Sequence, residues 1–450
     1  MTSLGPIFAD DLARVKPGDR LRLTISAQTS DAAALAQAAL EARARGERVL
    51  VVCADPADVP RLAQEMPWFE PKLDVRPLPD WETLPYDVLS PQEELVSERL
   101  EALYRLTAPT GGADVLLTSA VTASQRLSPV SYIGANTFFF HQGEQISLTT
   151  LQKRLAAAGY TNVKQVLAAG EFAVRGSIVD VFPMGSERPF RLDFFDDEIE
   201  SIRWFDVDTQ RSMESAEEIR LLPGHEFPVD PEALLAFRQR WRREFAGDPK
   251  KSIVYCDIEK EILPPGIEYY LPLFFDETAA LTDYLPPNAR VFLLGDIEAA
   301  LQAFGRDMAS RYKVLAADPQ RPALAPERIW LKPEEFFKSL ANFARFTVEK
   351  KENAEDLKRL SGIEVDRKSQ NPVGKLLERT RESAMKGVRT LIAAPSAGRM
   401  ETMSQLLRTG GLSVEEFPDW QTFLDADSAL GIAAAPLFSG AVFHHPEIVI

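Results

Sequence analysis

The sequence predicts an α/β protein with a doubly wound parallel sheet, a small inserted α+β unit and a separate small α/β unit. Three observations support this fold class. Strand and helix patterns alternate near the N-terminus, a period of two replaces them in the middle of the chain, and the alternation returns near the C-terminus. With 450 residues, the chain is long enough for about three domains of ordinary size.

The first unit alternates strands and helices. A short strand is predicted at 21–25, an alanine-rich helix at 31–45 and an unbroken apolar strand at 49–53. A second helix at 92–106 and a second apolar strand at 114–118 continue the pattern. Apolar strands separated by helices are typical of parallel sheets that are covered on both faces, so a doubly wound sheet is expected.

The middle of the chain, about 143–222, follows a period of two. Two sets of side chains alternate along 190–195, an apolar face of Phe190, Leu192 and Phe194 and an opposite face of Arg191, Asp193 and Phe195. The acidic residues at 196–198 predict a turn, and 199–205 returns as a second strand. The pattern predicts an antiparallel hairpin in a small α+β unit.

Alternating helices and strands return after residue 223. A helix is predicted at 232–245, a strand at 291–294 and a last strand at 390–394. A charged stretch at 349–370 has few large apolar residues and is interpreted as a linker, with a partly helical linker as an alternative. The predicted organisation is, in order, 1–142 (α/β domain, first part), 143–222 (inserted α+β domain), 223–348 (α/β domain, second part), 349–371 (linker) and 372–450 (small α/β domain).

Charge and composition argue against several classes of protein. The 51 basic and 67 acidic residues give a net charge of -16, which disfavours broad binding to nucleic-acid phosphates. The two cysteines, Cys53 and Cys256, are typical of a cytosolic protein without a disulfide framework. The longest apolar stretch, 431–443, is too short to cross a membrane. We expect a soluble cytoplasmic protein without a membrane partner, and the apolar run at 447–450 suggests a fragment of a longer chain.

A nucleotide site would lie where the first strand turns into the first helix. Such a loop needs glycines, a lysine for the phosphates and a hydroxyl side chain for magnesium. Residues 26–31 contain neither glycine nor lysine, and Asp31 places a carboxylate where phosphate would lie. The four histidines are scattered, and the G-x-S-x-G nucleophile motif is absent. We expect no catalytic residue, no cofactor and no metal in this chain.

The run 238–243 contains four arginines and is the strongest candidate for contact with nucleic acid. An apolar stripe recurs at helical spacing through the same run, at Leu234, Phe237, Trp241 and Phe245. A helix with Trp241 in the core and solvated arginines is therefore favoured over contact with DNA, which stays the alternative.

The polar face of the predicted hairpin is the most informative surface. Because alternate side chains form its apolar face, Phe195 lies on the side of Arg191 and Asp193. An aromatic side chain beside an arginine has the composition of an interface hot spot. Arg175 joins this face if its strand is a neighbour of the hairpin. An isolated surface phenylalanine without function is the alternative interpretation.

Four segments carry a family resemblance. They are LPDWETLPYD at 78–87, SERL at 97–100, GEFAVRGSIVDVFP at 170–183 and RLDFFDDEI at 191–199. Together they resemble the bacterial transcription-repair coupling factors, the Mfd family. The resemblance implies the N-terminal part of such a factor. That part is a helicase-like domain similar to the repair protein UvrB, with a degenerate phosphate loop and an inserted domain, followed by a small third α/β domain.

The resemblance also implies a binding site. In the family the inserted domain docks on the repair ATPase UvrA through two arginines and a phenylalanine, which correspond to Arg175, Arg191 and Phe195. UvrB has a working phosphate loop, whereas 26–32 lacks its glycines and lysine, as is typical of the family. The RNA polymerase-interacting domain, the motor that uses ATP and magnesium, and the C-terminal regulatory domain are expected outside this chain, with most contacts to RNA polymerase and DNA.

The implied function is a non-catalytic adaptor in transcription-coupled nucleotide excision repair, which recruits UvrA to RNA polymerase stalled at a lesion and belongs to an ATP-dependent DNA translocase. Phe195 is expected to fill an apolar pocket on UvrA, while Arg175 and Arg191 pair with carboxylates as bidentate donors. Two alternatives stay open. One is an active ATP-binding or DNA-binding helicase-like domain, and the other is an autoinhibitory clamp that holds the motor in check through an intramolecular contact of the same face.

Overall fold

The structure is a computed structural model that describes residues 12, 14–27, 29–108, 112–363 and 373–450. The strands in this part of the chain are β1 (Arg20–Ser26), β2 (Val49–Cys53), β3 (Val75–Pro77), β4 (Val115–Ser119), β5 (Phe138–His141), β6 (Thr161–Asn162), β7 (Glu171–Arg175), β8 (Ile178–Val181), β9 (Phe190–Phe195), β10 (Glu198–Phe205), β11 (Ser212–Ala216), β12 (Glu218–Leu221), β13 (Arg290–Leu294), β14 (Ala344–Lys351), β15 (Arg389–Ala394), β16 (Glu415–Phe417), β17 (Leu430–Ala434), β18 (Val442–His444) and β19 (Glu447–Val449).

The α-helices in the described ranges connect these strands. They are α1 (Asp31–Ala44), α2 (Asp58–Phe69), α3 (Glu93–Thr107), α4 (Ala120–Ser124), α5 (Val130–Ala135), α6 (Leu148–Ala157), α7 (Pro231–Glu244), α8 (Ile253–Glu259), α9 (Ile297–Leu315), α10 (Pro326–Ile329), α11 (Pro333–Ser339), α12 (Ala354–Leu360), α13 (Gly374–Met385), α14 (Ala397–Thr409) and α15 (Trp420–Asp425). Short 3₁₀ helices lie at Pro249–Lys251, Ile267–Leu273 and Leu281–Tyr284.

A six-stranded sheet ordered β1-β14-β13-β2-β4-β3 forms the centre of the first domain, and every neighbouring pair is parallel. All residues of β2 and β4 are buried. Leu50 and Val52 pack in one core with α3, whereas Val49 and Val51 pack in a second core with α1 and α2. Successive strand side chains point to opposite faces, so helices cover the sheet on both sides. The predicted doubly wound α/β fold is confirmed.

A second six-stranded sheet, ordered β11-β10-β9-β8-β7-β6, forms the inserted unit. Neighbours from β7 to β11 are antiparallel, and β6 is parallel to β7. The chain reaches this unit through β5 and returns through β12, which pair antiparallel from Glu218 opposite His141 to Leu221 opposite Phe138. The two crossings between the units therefore lie side by side as a two-stranded ribbon.

The C-terminal unit is a five-stranded sheet, ordered β16-β17-β15-β19-β18, and it packs against α2 of the first domain. The ring centroid of Trp420 lies 5.7 Å from that of Trp68 and 5.5 Å from that of Phe69. The ring centroid of Phe443 lies 6.3 Å from that of Phe69. An aromatic cluster thus docks the third domain on the first. The sequence did not predict this contact, because its partners are more than 300 residues apart in the chain.

The stretch interpreted as a linker begins inside the parallel sheet. Strand β14 continues to Lys351, and its last residues pair with β1, where Glu349 lies opposite Thr24. These charged side chains are half-buried or exposed at the end of the strand, whereas Phe346 and Val348 are buried. The loss of apolar residues therefore marks the exposed end of a strand and not the loss of structure. Residues 364–371 of the predicted linker, with 372, lie outside the described residues.

A buried ion pair ties the segment before the insertion to the segment after it. Arg99 on α3 donates from Nε to Glu226 Oε1 at 2.5 Å and from Nη2 to Oε2 at 3.1 Å. Trp81 Nε1 donates to Glu226 Oε1 at 3.1 Å, and Gln125 Oε1 accepts from Arg99 Nη2 at 2.9 Å. Arg99 and Glu226 are both buried. Each charge is paired and hydrogen bonded, which burial requires.

Glu226→Ala is expected to lower the free energy of unfolding by about 3–5 kcal/mol, because the Arg99 guanidinium would stay buried without a counter-ion. Urea unfolding followed by circular dichroism measures the change. Asp307→Ala removes the carboxylate of a more exposed pair with Arg311 and is the matched control, with an expected change below about 1 kcal/mol. If both variants lower the free energy of unfolding by the same small amount, the buried ion pair stabilises the fold no more than the exposed one.

Candidate protein-interaction site

The three site residues predicted from the sequence lie on one face of the inserted sheet. Arg175 ends β7, whereas Arg191 and Phe195 lie on β9. Strand β8 lies between these strands, and its Asp180 is directly opposite Arg191. The strand of Arg175 is therefore one strand removed from the predicted hairpin, and the structure brings the two arginines together over Asp180.

Phe195 is the exposed apolar side chain of this face. The other large apolar side chains of β9 are buried, whereas Phe195 is 68% exposed. This is the alternation that the sequence predicts for the strand. The chain turns immediately after Phe195, at Asp196, where φ is 54°. An exposed phenyl ring at a hairpin end offers a partner a large apolar surface that is held by a rigid sheet.

Both arginines bind one buried carboxylate. Arg191 donates from Nε to Asp180 Oδ1 at 2.7 Å and from Nη2 to Oδ2 at 3.0 Å. Arg175 Nη2 also donates to Asp180 Oδ2. The side chain of Asp180 is fully buried, and its hydrogen bonds raise the pKa of the Arg191 guanidinium above the usual value. Two guanidinium groups thus share one buried carboxylate, and Asp193, on the same face of β9, adds a second negative charge near Arg191.

Arg191 has further partners in its own domain. Its Nη1 donates to the backbone oxygen of Gln210 at 3.2 Å and to Ser212 Oγ at 3.1 Å, and its guanidinium lies 5.0 Å from the ring centroid of Phe205. The side chain is only 14% exposed, compared with 48% for Arg175. The expectation that Arg191 offers a bidentate fork to a partner does not fit this geometry, because Asp180 already occupies the fork.

The sequence pattern did not identify Asp180 as a residue of the site. It lies in the strand Ile178–Val181, between two valines that are buried. An acidic residue in a buried apolar strand indicates a buried cationic partner, because an unpaired charge is too costly there. The identity of that partner depends on the register between β8 and β9, which a single sequence does not provide.

The loop between β1 and α1 holds a carboxylate where a phosphate loop would hold phosphate. Ser30 caps α1, and Asp31 follows it. Asp31 Oδ2 accepts from Arg61 Nη2 at 2.8 Å and lies 2.7 Å from Lys350 Nζ. Burial alone would raise the pKa of Asp31, but Arg61 and Lys350 outweigh burial and hold that pKa below its usual value. Gln28, in the same loop, lies outside the described residues.

The third domain lies against this loop. Thr29 Oγ1 donates to the backbone oxygen of Val442 in the third domain at 3.4 Å. Ser26 Oγ donates at 2.8 Å to Asp356 Oδ2 on α12, in the segment that precedes the third domain. The space beside Asp31 is a cavity of about 110 Å³, whereas small-molecule sites usually have roughly 300–1,000 Å³. The cavity beside Asp31 is therefore smaller than a usual nucleotide site.

The other candidates from the sequence are structural. Trp241 is buried in a core cluster, Arg240 Nη2 lies 2.6 Å from Asp276 Oδ1, and the Arg242 guanidinium lies 5.5 Å from the ring centroid of Tyr255. The interpretation of this helix as core-facing is therefore confirmed. Within the described ranges, no group of three or more His, Cys, Asp or Glu side chains is arranged to hold a metal ion. In the same part of the chain, no helix has the length and apolar character of a membrane span.

Comparison with known proteins agrees with the resemblance of the four segments. A family model described as the UvrB interaction domain matches residues 138–227, and one described as the MFD D3 domain matches 384–450. A transcription-repair-coupling factor of Escherichia coli (strain K12) is 42% identical over 298 residues, which cover 66% of this chain and 26% of that protein. The corresponding factor of Haemophilus influenzae is 40% identical over 344 residues, which cover 74% of this chain and 29% of that protein.

A more distant relative is the transcription-repair-coupling factor of Bacillus subtilis (strain 168), 32% identical over 216 residues that cover 44% of this chain and 18% of that protein. The chain therefore spans less than a third of the length of these three relatives. The family predicted from the sequence, that of the transcription-repair coupling factors, is confirmed.

Asp31→Asn is expected to destabilise the fold at neutral pH and to have a smaller effect in acid. The folded-state pKa of Asp31 lies below its ordinary value of 3.8, so the charged carboxylate stabilises the fold above that pH. This stabilisation is lost as the pH falls through the folded-state pKa. Urea unfolding at pH 7 and pH 3 measures the difference from the parent chain, for which we expect about 1–3 kcal/mol at pH 7.

Glu355→Gln, at an exposed acidic position on α12, is the control for the loss of one carboxylate at the surface. It should change stability by less than about 0.5 kcal/mol at either pH. A penalty for Asp31→Asn that stays constant or grows in acid would contradict the proposed charge pairing.

Proposed function

Starting from this family, we propose that the chain is a non-catalytic adaptor module in transcription-coupled nucleotide excision repair. It recruits UvrA to RNA polymerase stalled at a DNA lesion, in the bacterial cytoplasm. The observation that carries the proposal is the exposed Phe195 on the face of Arg175 and Arg191, within a UvrB interaction domain. ATP-dependent translocation, with ATP and magnesium, and most contacts to RNA polymerase and DNA are assigned to regions of the relatives that this chain does not match.

Phe195 and Arg175 supply complementary parts of the proposed contact. Aromatic and arginine side chains carry most of the free energy in many interfaces. Covering the phenyl ring removes apolar surface from water, and the half-exposed Arg175 keeps N–H groups beyond its bond to Asp180 for a carboxylate of UvrA. Arg191 lies beneath this surface and balances the charge of Asp180, so Arg175 keeps its positive charge available.

The non-catalytic part of the proposal rests on the loop at Asp31. A carboxylate of the chain already binds the cations that would otherwise meet phosphate, and the third domain covers the loop. Neither feature favours the alternative of an active ATP-binding domain. The alternative of direct DNA binding has less support, because three of the four arginines of the run 238–243 contact neighbouring acidic or aromatic side chains, namely Arg238, Arg240 and Arg242.

The autoinhibitory role is compatible with the same exposed face. The patch of Phe195 and Arg175 can be covered by UvrA or by another region of the same protein, but not by both at the same time. Competition between the two occupants would make the adaptor available only after the intramolecular contact opens. This role is proposed as secondary, since the chain alone contains the face but not its intramolecular occupant.

Phe195→Ala is expected to weaken binding to UvrA by about 2 kcal/mol or more, roughly thirtyfold, because it removes the exposed apolar anchor. Arg175→Ala should weaken it by a similar amount. Calorimetric titration of the purified chain into UvrA measures both. Phe438→Ala is the matched control, because Phe438 is 65% exposed but lies in the third domain. The proposal fails if the parent chain binds and neither site variant weakens binding more than the control.

Magnesium ATP at 1 mM, a test concentration about 100 times a Kd of 10 μM, is expected to leave the melting temperature unchanged. A site of that affinity would stabilise the fold by about 2.7 kcal/mol, which thermal unfolding detects easily. UvrB, which has a working phosphate loop, serves as the positive control. A saturable rise in the melting temperature of this chain would contradict the non-catalytic proposal.

A further inference from the structure

Asp180 occupies the centre of the cluster beneath the proposed UvrA-binding face. Strand β8 lies between β7 and β9, and Asp180 is opposite Ala173 on one side and Arg191 on the other. Residues that are directly opposite in neighbouring strands project to the same face of a sheet. Ala173 is buried, and the guanidinium of Arg175 reaches the carboxylate from two residues further along β7.

The two arginines differ in how many of their N–H groups are hydrogen bonded within the domain. An arginine has five N–H donors. Arg191 uses its Nε and one Nη2 hydrogen on Asp180, and its Nη1 on Gln210 and Ser212. It therefore keeps one N–H, on Nη2, and it is largely buried. Arg175 donates to Asp180 from Nη2, and its side chain is 48% exposed.

We propose that Asp180 is a positioning residue of the binding site, which holds Arg191 as an internal support and presents Arg175 to the partner. The inference rests on the proposed function, and it specifies the partner chemistry. Asp180 pairs with both guanidinium groups, and Asp193 adds a second negative charge near Arg191 on the same face. The group that this face offers UvrA beside the phenyl ring is therefore the half-exposed guanidinium of Arg175. The complementary surface on UvrA is a single carboxylate at the edge of an apolar pocket, not a pair of carboxylates that grip two arginines.

A double-mutant cycle tests this assignment by calorimetry with UvrA. Asp180→Asn keeps the shape of the side chain but removes its charge and one acceptor. It should weaken binding at least about tenfold, which corresponds to about 1.4 kcal/mol. In the Arg175→Ala background, where the guanidinium that Asp180 positions is absent, Asp180→Asn should weaken the affinity for UvrA by less than about threefold. In the Phe195→Ala background its effect should persist, because Phe195 does not contact Asp180.

Glu214→Gln is the matched control, since Glu214 is an exposed carboxylate on β11 of the same inserted sheet and lies 3.9 Å from Arg188, not from either arginine of the site. It should change binding by less than about threefold. If Asp180→Asn does not fold, as judged by near-ultraviolet circular dichroism, Arg191→Lys replaces it in the cycle, because lysine keeps the charge but loses the fork.

The outcomes separate the two proposals. A folded parent chain that does not bind UvrA refutes the proposed function and the inference together. Normal binding by the parent chain and by folded Asp180→Asn refutes only the inference. Additive losses for Asp180→Asn and Arg175→Ala also refute it, because they would mean that Asp180 acts through general stability and not through Arg175.

Discussion

The ion pair between Arg99 and Glu226 is the interaction on which the assembly of the first domain around its insertion depends. Glu226 follows the strand by which the chain returns from the insertion, and Arg99 lies on a helix that precedes the insertion. The pair is buried in a cluster with Trp81 and Gln125, so water cannot compete for it. Nearby, the amide of Gly185 in the insertion donates to Ser97 Oγ at 2.7 Å, on the same helix as Arg99. The inserted sheet is therefore fixed to the first domain at a defined angle.

Two other buried carboxylates also need cationic partners, but their partners differ in exposure. Asp31 and Asp180 are each buried, and each binds two cationic side chains. Around Asp31, Arg61 is largely buried and Lys350 is 37% exposed, and the third domain borders the small cavity that both cations line. Around Asp180 one cation stays half exposed at the surface. The difference between the two sites is thus set by the neighbours of the carboxylate and not by the carboxylate itself.

The sequence predicted most of the local structure and only part of the site. The alternation along β9 identified the face of Phe195, and helical spacing placed Trp241 in the core, because both features repeat over a few neighbouring residues. The engagement of Arg191 by Asp180 was not predicted, since it depends on strand register. The docking of Trp420 on Phe69 and the continuation of β14 to Lys351 were missed for the same reason, namely that distant segments decide them.

The ribbon of β5 and β12 has a mechanical consequence. Both strands run between the first domain and the insertion, so a force that pulls on the insertion acts along both backbones at once. The hydrogen bonds between the strands lie across this direction, so tension does not open them one after another. A partner held on the insertion would thus be connected to the first domain by two covalent strands in parallel. Such a connection transmits a displacement of the first domain to the insertion with little stretching.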